Sequence, residues 1–200
     1  KAIGYILLGC WETLCLPFLI LLCIIRCKFV GKYLETVGIG PEPIINSSHH
    51  AGALKKYGIK CETYAWDNYL MTGRVDKYID IKRPIGRILI QIGFWFFLKA
   101  LFRYNIMFIY FNGGPLFKSC WLWRIEHYLY RLADMKVVVM AYGSDVHDLD
   151  KCKNLYLKHC IASDYPQYIK TSTRRVYFNI NRWIRHSNYV IGGCDWVDYL

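Results

Sequence analysis

A short polar segment follows an apolar run near the middle of the chain, in VVVMAYGSDVHDL. It brings Gly143, Ser144, Asp145 and His147 close together in sequence. A hydroxyl and a carboxylate can hydrogen-bond the hydroxyl groups of a ligand, and a glycine lets a ligand approach the backbone closely. A carboxylate or an imidazole can also accept a proton. Asp145 and His147 are therefore the candidate catalytic bases, with Gly143 and Ser144 as candidate ligand contacts.

Each candidate base also has a purely structural interpretation. Asp145 can cap the turn that follows it by hydrogen-bonding nearby backbone, and His147 can be an ordinary surface histidine. Asp148 and Asp150 next to His147 suggest a metal ion only weakly. The nine cysteines include no CxxC pair. That count and spacing favour reduced, buried thiols in a cytosolic setting over a disulfide framework or a zinc site. We expect no metal.

The apolar run before this segment predicts the element that positions it. It is β-branched, too short to span a membrane, and bounded by Lys136 and Gly143. Such a run is typical of a strand buried on both faces of a parallel sheet. In open parallel sheets, ligand groups lie just beyond the carboxyl ends of the strands.

Four further strands are predicted, at residues 37–39, 59–66, 105–111 and 188–191, with helices between successive strands. Asn46, Ser47 or Ser48 can cap the helix after the first strand, and Ser119 the helix before Lys136. This alternation predicts a doubly wound α/β domain over residues 31–200. Candidate substrate contacts lie in the loops and helix that follow these strands: Gly40, Glu42, Asn46, His49, His50, Asn112, Gly113 and Gly114.

The first thirty residues form a separate apolar segment. Residues 3–25 are nearly all apolar and long enough to cross roughly 30 Å of hydrocarbon. Glu12 opposes insertion by about 2.5–3.5 kcal/mol, which the many leucines and isoleucines can offset. We expect a membrane-anchor helix over residues 1–30, with a buried hydrophobic helix as the alternative. The basic flank of Arg26, Lys28 and Lys32 favours a cytoplasmic location for the following domain.

A second apolar segment, residues 83–104, is expected to be a helix packed on the sheet, with bilayer contact as the alternative. The helix near residues 173–186 is basic on one side. At 100° per residue, its arginines fall within about 100° of one another, opposite an apolar face. This stripe is either a solvated face or a contact for anionic membrane lipid or a phosphate-bearing substrate; it comprises Arg174, Arg175, Arg182 and Arg185.

The composition restricts the class of partner. The net charge is +11, which favours nucleic acid or an anionic membrane surface, while 54% of residues are hydrophobic and only 20% are charged. The chain contains no nucleic-acid recognition module and is too apolar for a free cytosolic binder. We therefore expect no nucleic-acid partner.

Several segments resemble the amino-terminal domain of GT-B glycosyltransferases, in particular those of bacterial surface or capsular polysaccharide synthesis. VGIGPEPIINSSHHAGALKKYGIKCETYAW is similar to the opening of that domain, and YNIMFIYFNGG to its third strand. KVVVMAYGSDVHDL resembles the fourth strand with its glycine-serine-aspartate tip, and RRVYFNINRWIRHSNYVIGGCDWVDYL the helix and strand before the closing elements. The likeness extends over about residues 37–200.

The resemblance implies an enzyme that moves a sugar from a nucleotide-sugar donor to a glycan acceptor, without a metal or other cofactor. It also implies that a donor-binding second domain lies beyond this chain, so that this half is inactive alone. The apolar segment and positive charge suggest a lipid-linked acceptor at the cytoplasmic face of the inner (plasma) membrane. The alternative is a non-catalytic, membrane-tethered binding or scaffold protein of the same fold.

A dinucleotide-dependent dehydrogenase would share this architecture. It requires G-x-G-x-x-G at the first strand-to-helix turn, and the chain has GIGPEP there. The two prolines prevent the close helix approach that the third glycine allows. The sequence therefore disfavours a dehydrogenase.

Overall fold

The computed structural model describes residues 2–30, 35–66, 75–78, 90–149, 152–164 and 173–193. These residues form β1 (Val37–Ile39), β2 (Cys61–Ala65), β3 (Lys77–Tyr78), β4 (Ile106–Tyr110), β5 (Lys136–Met140) and β6 (Tyr189–Ile191). The helices are α1 (Ala2–Ile25), α2 (Ile45–Lys56), α3 (Ile90–Leu101), α4 (Glu126–Leu132), α5 (Leu155–Asp164) and α6 (Thr173–His186). A π-helical segment, Arg26–Val30, extends α1, and 3-10 helices Pro115–Lys118 and Leu122–Arg124 precede α4.

The described strands form one parallel sheet in the order β3-β2-β1-β4-β5-β6. Val37 of β1 is in register with Cys61 of β2 on one side and with Ile106 of β4 on the other. The chain therefore adds strands first on one side of β1 and then, from β4, on the other. The predicted α/β class, parallel sheet and N-terminal apolar helix are confirmed.

Both faces of the sheet are covered by apolar side chains, as expected for a parallel sheet. Alternate residues of β4 separate into two clusters, because successive side chains of a strand point to opposite faces. Met107 and Ile109 belong to a large cluster with residues of α1, α3, α4 and α6. Phe108 and Tyr110 belong to a smaller cluster with Ala51 of α2.

Helix α1 packs on the domain through one face, and Glu12 lies on that face. The Glu12 carboxylate is 1% exposed and accepts the backbone N–H groups of Cys120, Trp121 and Leu122 at 2.6, 2.9 and 3.2 Å. These N–H groups open the second 3-10 helix, so Glu12 caps it from a distant part of the chain. Leu19 and Cys23 are fully buried below it.

Arg26 fixes the other end of α1. Its fully buried guanidinium donates to the carbonyls of Leu101, Tyr104 and Ala133 and to the side chain of Asn105. These carbonyls lie at the carboxyl ends of α3 and α4, where a cation is favourable. Arg26 therefore joins α1 to the ends of two other helices. Although Arg26 belongs to the predicted basic flank, its burial keeps it from contacting lipid headgroups.

The outward face of α1 is apolar. Among the described residues, one helical segment, Ile6–Val30, is long and apolar enough to cross a membrane, and 17% of its most apolar window is buried. Both Glu12 and Arg26 face the domain rather than this surface. The membrane-anchor role of residues 1–30 stays a prediction. The exposed large apolar side chains of α1 and its π-helical extension are Ile6, Leu7, Leu14, Phe18, Ile20, Leu21 and Phe29.

Other elements differ from the predictions in detail. Helix α2 begins at Ile45 with Ile44 at its N-cap, so Asn46, Ser47 and Ser48 lie inside its first turns instead of capping it. Ser119 accepts the N–H of Trp123 at 2.8 Å, and the α-helix begins only at Glu126. Strand β3 and helix α5 were not predicted, since β3 has two residues and α5 buries none. Helix α3 packs into the core as expected, and residues 83–89 of that prediction lie outside the described residues.

Candidate functional site

The loop after β1 is held between the two neighbouring strands. The N–H of Gly40 donates to the carbonyl of Phe108 in β4 at 3.0 Å, and the N–H of Trp66 donates to the carbonyl of Pro41 at 3.0 Å. Gly40 has a φ of +151°, and a Cβ there would lie 2.1 Å from the carbonyl oxygen of Tyr64. Only glycine fits this position. The loop directs Glu42 towards the end of β4.

Three side chains meet at the carboxyl ends of β1, β4 and β5. The amide Nδ2 of Asn112 donates to Glu42 Oε1 at 3.1 Å and to the Tyr142 hydroxyl oxygen at 2.8 Å. All three side chains are partly buried. Glu42 and Asn112 follow β1 and β4, the strands between which the order of the sheet reverses. We call Glu42, Asn112 and Tyr142 the strand-end cluster.

Glu42 is the carboxylate of the strand-end cluster, and its protonation is affected by burial. Burial raises the pKa of Glu42, and the hydrogen bond from Asn112 and the positive charge of Lys118 act in the opposite direction. A carboxylate with a raised pKa is a better proton acceptor than an ordinary one near neutral pH. Glu42 was predicted as a substrate contact, and its acid–base character emerges only from this burial.

Asp145 lies immediately beneath the strand ends with both carboxylate oxygens engaged. Oδ2 accepts the N–H of Phe111, and Oδ1 accepts the N–H groups of Tyr142 and Gly143, each at 3.0 Å. The side chain is 2% exposed. Burial raises the pKa of Asp145 to about 6, although the backbone donors lower it in part. Asp145 thus connects the ends of β4 and β5 through backbone, as in its structural interpretation, and its catalytic role stays a prediction.

The other residues of this segment form the turn after β5. The N–H of His147 donates to the carbonyl of Gly143 at 3.1 Å. The His147 side chain is half-buried, and this burial lowers its pKa. Gly143 is buried and Ser144 is partly buried. Asp148 is buried, and Asp150 of the metal hypothesis lies outside the described residues.

A buried carboxylate that sequence reasoning missed supports the loop after β4. Glu126 at the start of α4 is fully buried and accepts the N–H groups of Gly114 and Leu116, each at 3.1 Å, and the Tyr130 hydroxyl at 3.0 Å. A Cβ at Gly114 would lie 2.5 Å from Glu126 Oε1, so a larger residue there would displace the buried Glu126 side chain. Gly113 and Gly114 are both buried and therefore shape this loop from within.

The candidates on α2 lie at different depths. His49 is exposed and Asn46 is partly buried. The His50 ring lies 5.2 Å from the Phe108 ring, and its buried Nε2 has no hydrogen-bond partner among the described residues. Burial lowers the pKa of His50, and His49 adds to this effect. Ser47, which was not singled out as a contact, shares a 3.0 Å hydrogen bond with the Tyr110 hydroxyl.

The four arginines of α6 do not form one exposed stripe. Arg174, Arg175 and Arg185 are exposed, whereas Arg182 is 5% exposed and donates to the carbonyl of Trp123. Arg182 also lies over the Trp183 ring at 4.7 Å. The stripe was predicted from helical spacing alone, and Arg182 is drawn inward because α6 packs on α4 and the preceding 3-10 helix.

Sequence position pointed to two of these residues, Tyr142 and Glu126. Tyr142 is the second residue after β5, where a polar side chain can reach the strand end. Glu126 is an acidic residue in the first turn of α4. Within the described ranges, no group of three or more histidine, cysteine or acidic side chains is arranged to hold a metal ion. No protein-family model, curated protein or solved structure matches this chain.

Proposed function

We propose that this chain is the acceptor-binding, amino-terminal domain of a GT-B glycosyltransferase. Its strand order is the one found in doubly wound dinucleotide-binding sheets, and apolar clusters lie on both faces of the sheet. In such sheets a ligand binds beyond the carboxyl ends of the strands, where the strand order reverses. The strand-end cluster at the β1–β4 boundary is the observation that carries this proposal.

The chemistry of the cluster suits a sugar acceptor. An amide and a phenol can hydrogen-bond the hydroxyl groups of a sugar, and a carboxylate of raised pKa can accept a proton. In the proposed transfer, the anomeric C–O bond to the donor's phosphate breaks and a C–O bond to the acceptor hydroxyl forms. The hydroxyl proton passes to Glu42. We assign this step to Glu42 because both oxygens of Asp145 are already bonded to backbone.

The acceptor is proposed to be lipid-linked and reached at a membrane surface. The support is the apolar outward face of α1, which extends along the domain because Glu12 and Arg26 fasten the helix to it. A bilayer that covers this face would bring the domain itself to the membrane surface. The nucleotide-sugar donor, the anionic lipid partner and the cytoplasmic face of the plasma membrane remain parts of the same proposal.

The test uses the full reading frame expressed in membranes and supplied with radiolabelled nucleotide-sugars. Replacing a general base typically lowers the rate by about 10²–10⁴-fold. We expect Glu42→Gln to lose transfer by this amount and Asn112→Ala to weaken acceptor binding. Glu35→Gln is the matched control, because Glu35 precedes β1 and its side chain is 80% exposed. Wild-type turnover by Glu42→Gln would refute the assignment of the base.

The alternative is a membrane-tethered binding protein that uses the same cluster without catalysis. One observation favours this alternative. Both carboxylate oxygens of Asp145 accept backbone N–H groups, so the aspartate that follows β5 has a structural role. In the same membranes, the alternative predicts retention of a labelled glycan that depends on Asn112, with no consumption of any donor. Consumption that depends on Glu42 would exclude it.

A further inference from the structure

Helix α6, together with His127 of α4, lines an open cavity on the larger-cluster face of the sheet. Its volume is about 420 Å³. No acidic side chain of the described residues lines it. We call it the α6 cavity, and its polar lining consists of His127, Arg174, Tyr177, Asn181, Arg182, Arg185 and His186.

Two of the lining residues are buried and incompletely hydrogen-bonded. Arg182 is 5% exposed, and its Nε and Nη2 atoms have no hydrogen-bond partner among the described residues. His127 is 6% exposed, and its Nδ1 atom likewise has no partner within the described part of the chain. Buried polar atoms in native proteins are nearly always paired, with protein, water or a ligand. Two such groups at one cavity indicate a place where a ligand completes the bonding.

The charge around the cavity selects an anion. Three guanidinium groups line it, and none forms an ion pair with a described carboxylate. Glu126 attracts the Arg182 guanidinium electrostatically, but its carboxylate oxygens accept the N–H groups of Gly114 and Leu116. The His127 and His186 rings lie 4.3 Å apart, which places two imidazoles side by side in the cavity lining. Arginine and histidine donors together suit a group with several charged oxygens.

We propose that the α6 cavity binds a phosphate group of a phosphomonoester or diphosphate ligand. Arg174 and Arg185 contact the ligand at the exposed rim, and Arg182 and His127 form the floor. This site shares no lining residue with the strand-end cluster and does not depend on glycosyl transfer. A lipid headgroup and a soluble phosphate compound offer the same chemistry, and the experiment distinguishes them.

The first measurement is titration of the full-length chain with inorganic pyrophosphate at constant ionic strength. The double variant Arg174→Gln/Arg185→Gln changes only exposed residues, so its fold should persist, as circular dichroism and thermal unfolding can verify. We expect it to weaken pyrophosphate binding at least about tenfold, the loss of two charge-assisted contacts. Arg175→Gln is the matched control, since Arg175 is exposed on the same helix but lies over the Phe117 and Trp123 rings, outside the cavity.

The second measurement separates the sources of the phosphate. The same proteins are tested for flotation with phosphatidylcholine vesicles, with and without phosphatidic acid. A soluble ligand is indicated when the double variant loses pyrophosphate binding but floats like the wild type. A headgroup is indicated when the double variant still floats with phosphatidylcholine alone but loses the additional flotation that phosphatidic acid gives the wild type. If the double variant and Arg175→Gln behave alike with both probes, the proposal is overturned.

Discussion

Three buried carboxylates of the described residues accept hydrogen bonds from backbone N–H groups. Each accepts two or three such bonds: Glu12, Asp145 and Glu126. The donors to Glu12 and Glu126 lie on a different segment from the carboxylate, and the donors to Asp145 lie on the two segments that follow β4 and β5. A buried carboxylate without hydrogen bonds would be strongly unfavourable. Each one therefore holds a loop in place, and two of the loops lie at the ends of β4 and β5.

Asp145→Asn tests this role at the strand ends. An amide has one acceptor oxygen and two donor hydrogens, so at least one of the three backbone N–H groups must lose its partner. We expect the free energy of unfolding to fall by about 1–3 kcal/mol. Urea denaturation at pH 7 measures it. Asp164→Asn, at an exposed carboxylate of α5, is the control and should change little. Equal effects of the two substitutions would contradict the anchoring role.

Glu62 provides a prediction for the pH dependence of stability. Arg103, together with Lys77 and Tyr104, lowers the pKa of Glu62 to about 2 from 4.5, against a smaller effect of burial. The native state thus favours the ionised form, so this stabilisation is present above about pH 4.5 and is lost as the pH falls towards 2. Because the pair is partly solvated, we expect Glu62→Gln to cost about 1–2 kcal/mol at pH 7.

The measurement for Glu62 is chemical denaturation between pH 7 and pH 2.5. The difference between wild type and Glu62→Gln should shrink steadily below about pH 4.5. Glu35→Gln removes the carboxylate of an exposed pair with Lys60 at 3.7 Å and should have almost no effect at any pH. A difference for Glu62→Gln that does not vary with pH would rule out the proposed linkage.

At the scale of elements, α1 is a component of the domain as well as a candidate membrane surface. Its buried face adds Leu19 and Cys23 to the large core, and Trp11 packs edge-to-face on Phe94 with ring centroids 4.9 Å apart. Glu12 and Arg26 hold its two halves to loops and helix ends. The helix therefore presents a fixed apolar face, in contrast to an anchor joined to its domain by a flexible linker.

Glu12→Ala should detach the middle of α1 from the 3-10 helix after Ser119. The N–H groups of Cys120, Trp121 and Leu122 would lose their acceptor, and their amide hydrogens should exchange faster with solvent. Hydrogen exchange followed by mass spectrometry resolves this segment. Thr13→Ala is the neighbouring control, because the Thr13 hydroxyl bonds only to Gly9 within the helix in the described structure. Unchanged exchange in Glu12→Ala would show that the cap contributes little.

At the scale of the whole molecule, the apolar face of α1 and the cationic α6 cavity are separate surfaces with separate chemistry. Apolar burial in a bilayer does not depend on salt, whereas attraction between cations and phosphate weakens as salt screens it. The two surfaces can therefore be distinguished in one set of experiments.

Replacing Leu14, Phe18 and Leu21 together by glutamine should abolish flotation with neutral vesicles. These side chains are 79%, 52% and 53% exposed, so the substitution removes lipid contacts without opening a cavity in the core. The control replaces Leu155 and Tyr156 of α5, which are 77% and 79% exposed, by glutamine. Salt-independent flotation that persists in the α1 variant would locate the membrane contact elsewhere.

The sequence predicted five of the six described strands and the residues that follow them. Runs such as Val137–Met140 are short, apolar and bounded by polar residues, and these local features depend only on neighbours in the chain. Strand β3 and helix α5 escaped prediction because β3 is two residues long and α5 buries no residue, so neither leaves a clear hydrophobic pattern. The capping residues of α2 were misplaced because Ile44 occupies the N-cap without a side-chain hydrogen bond.

The sequence by itself determined the α/β class, the apolar first helix and which residues follow each of the five predicted strands, since hydrophobic periodicity is a local property. Tertiary structure alone decided which of those residues meet. Asn112 reaches Glu42 across seventy positions, and Glu12 reaches Cys120 across more than a hundred. Such contacts depend on strand order and packing, and the same packing buries Arg182 and raises the pKa of Glu42. Burial changes the chemistry of a side chain, and burial is a property of the assembled fold.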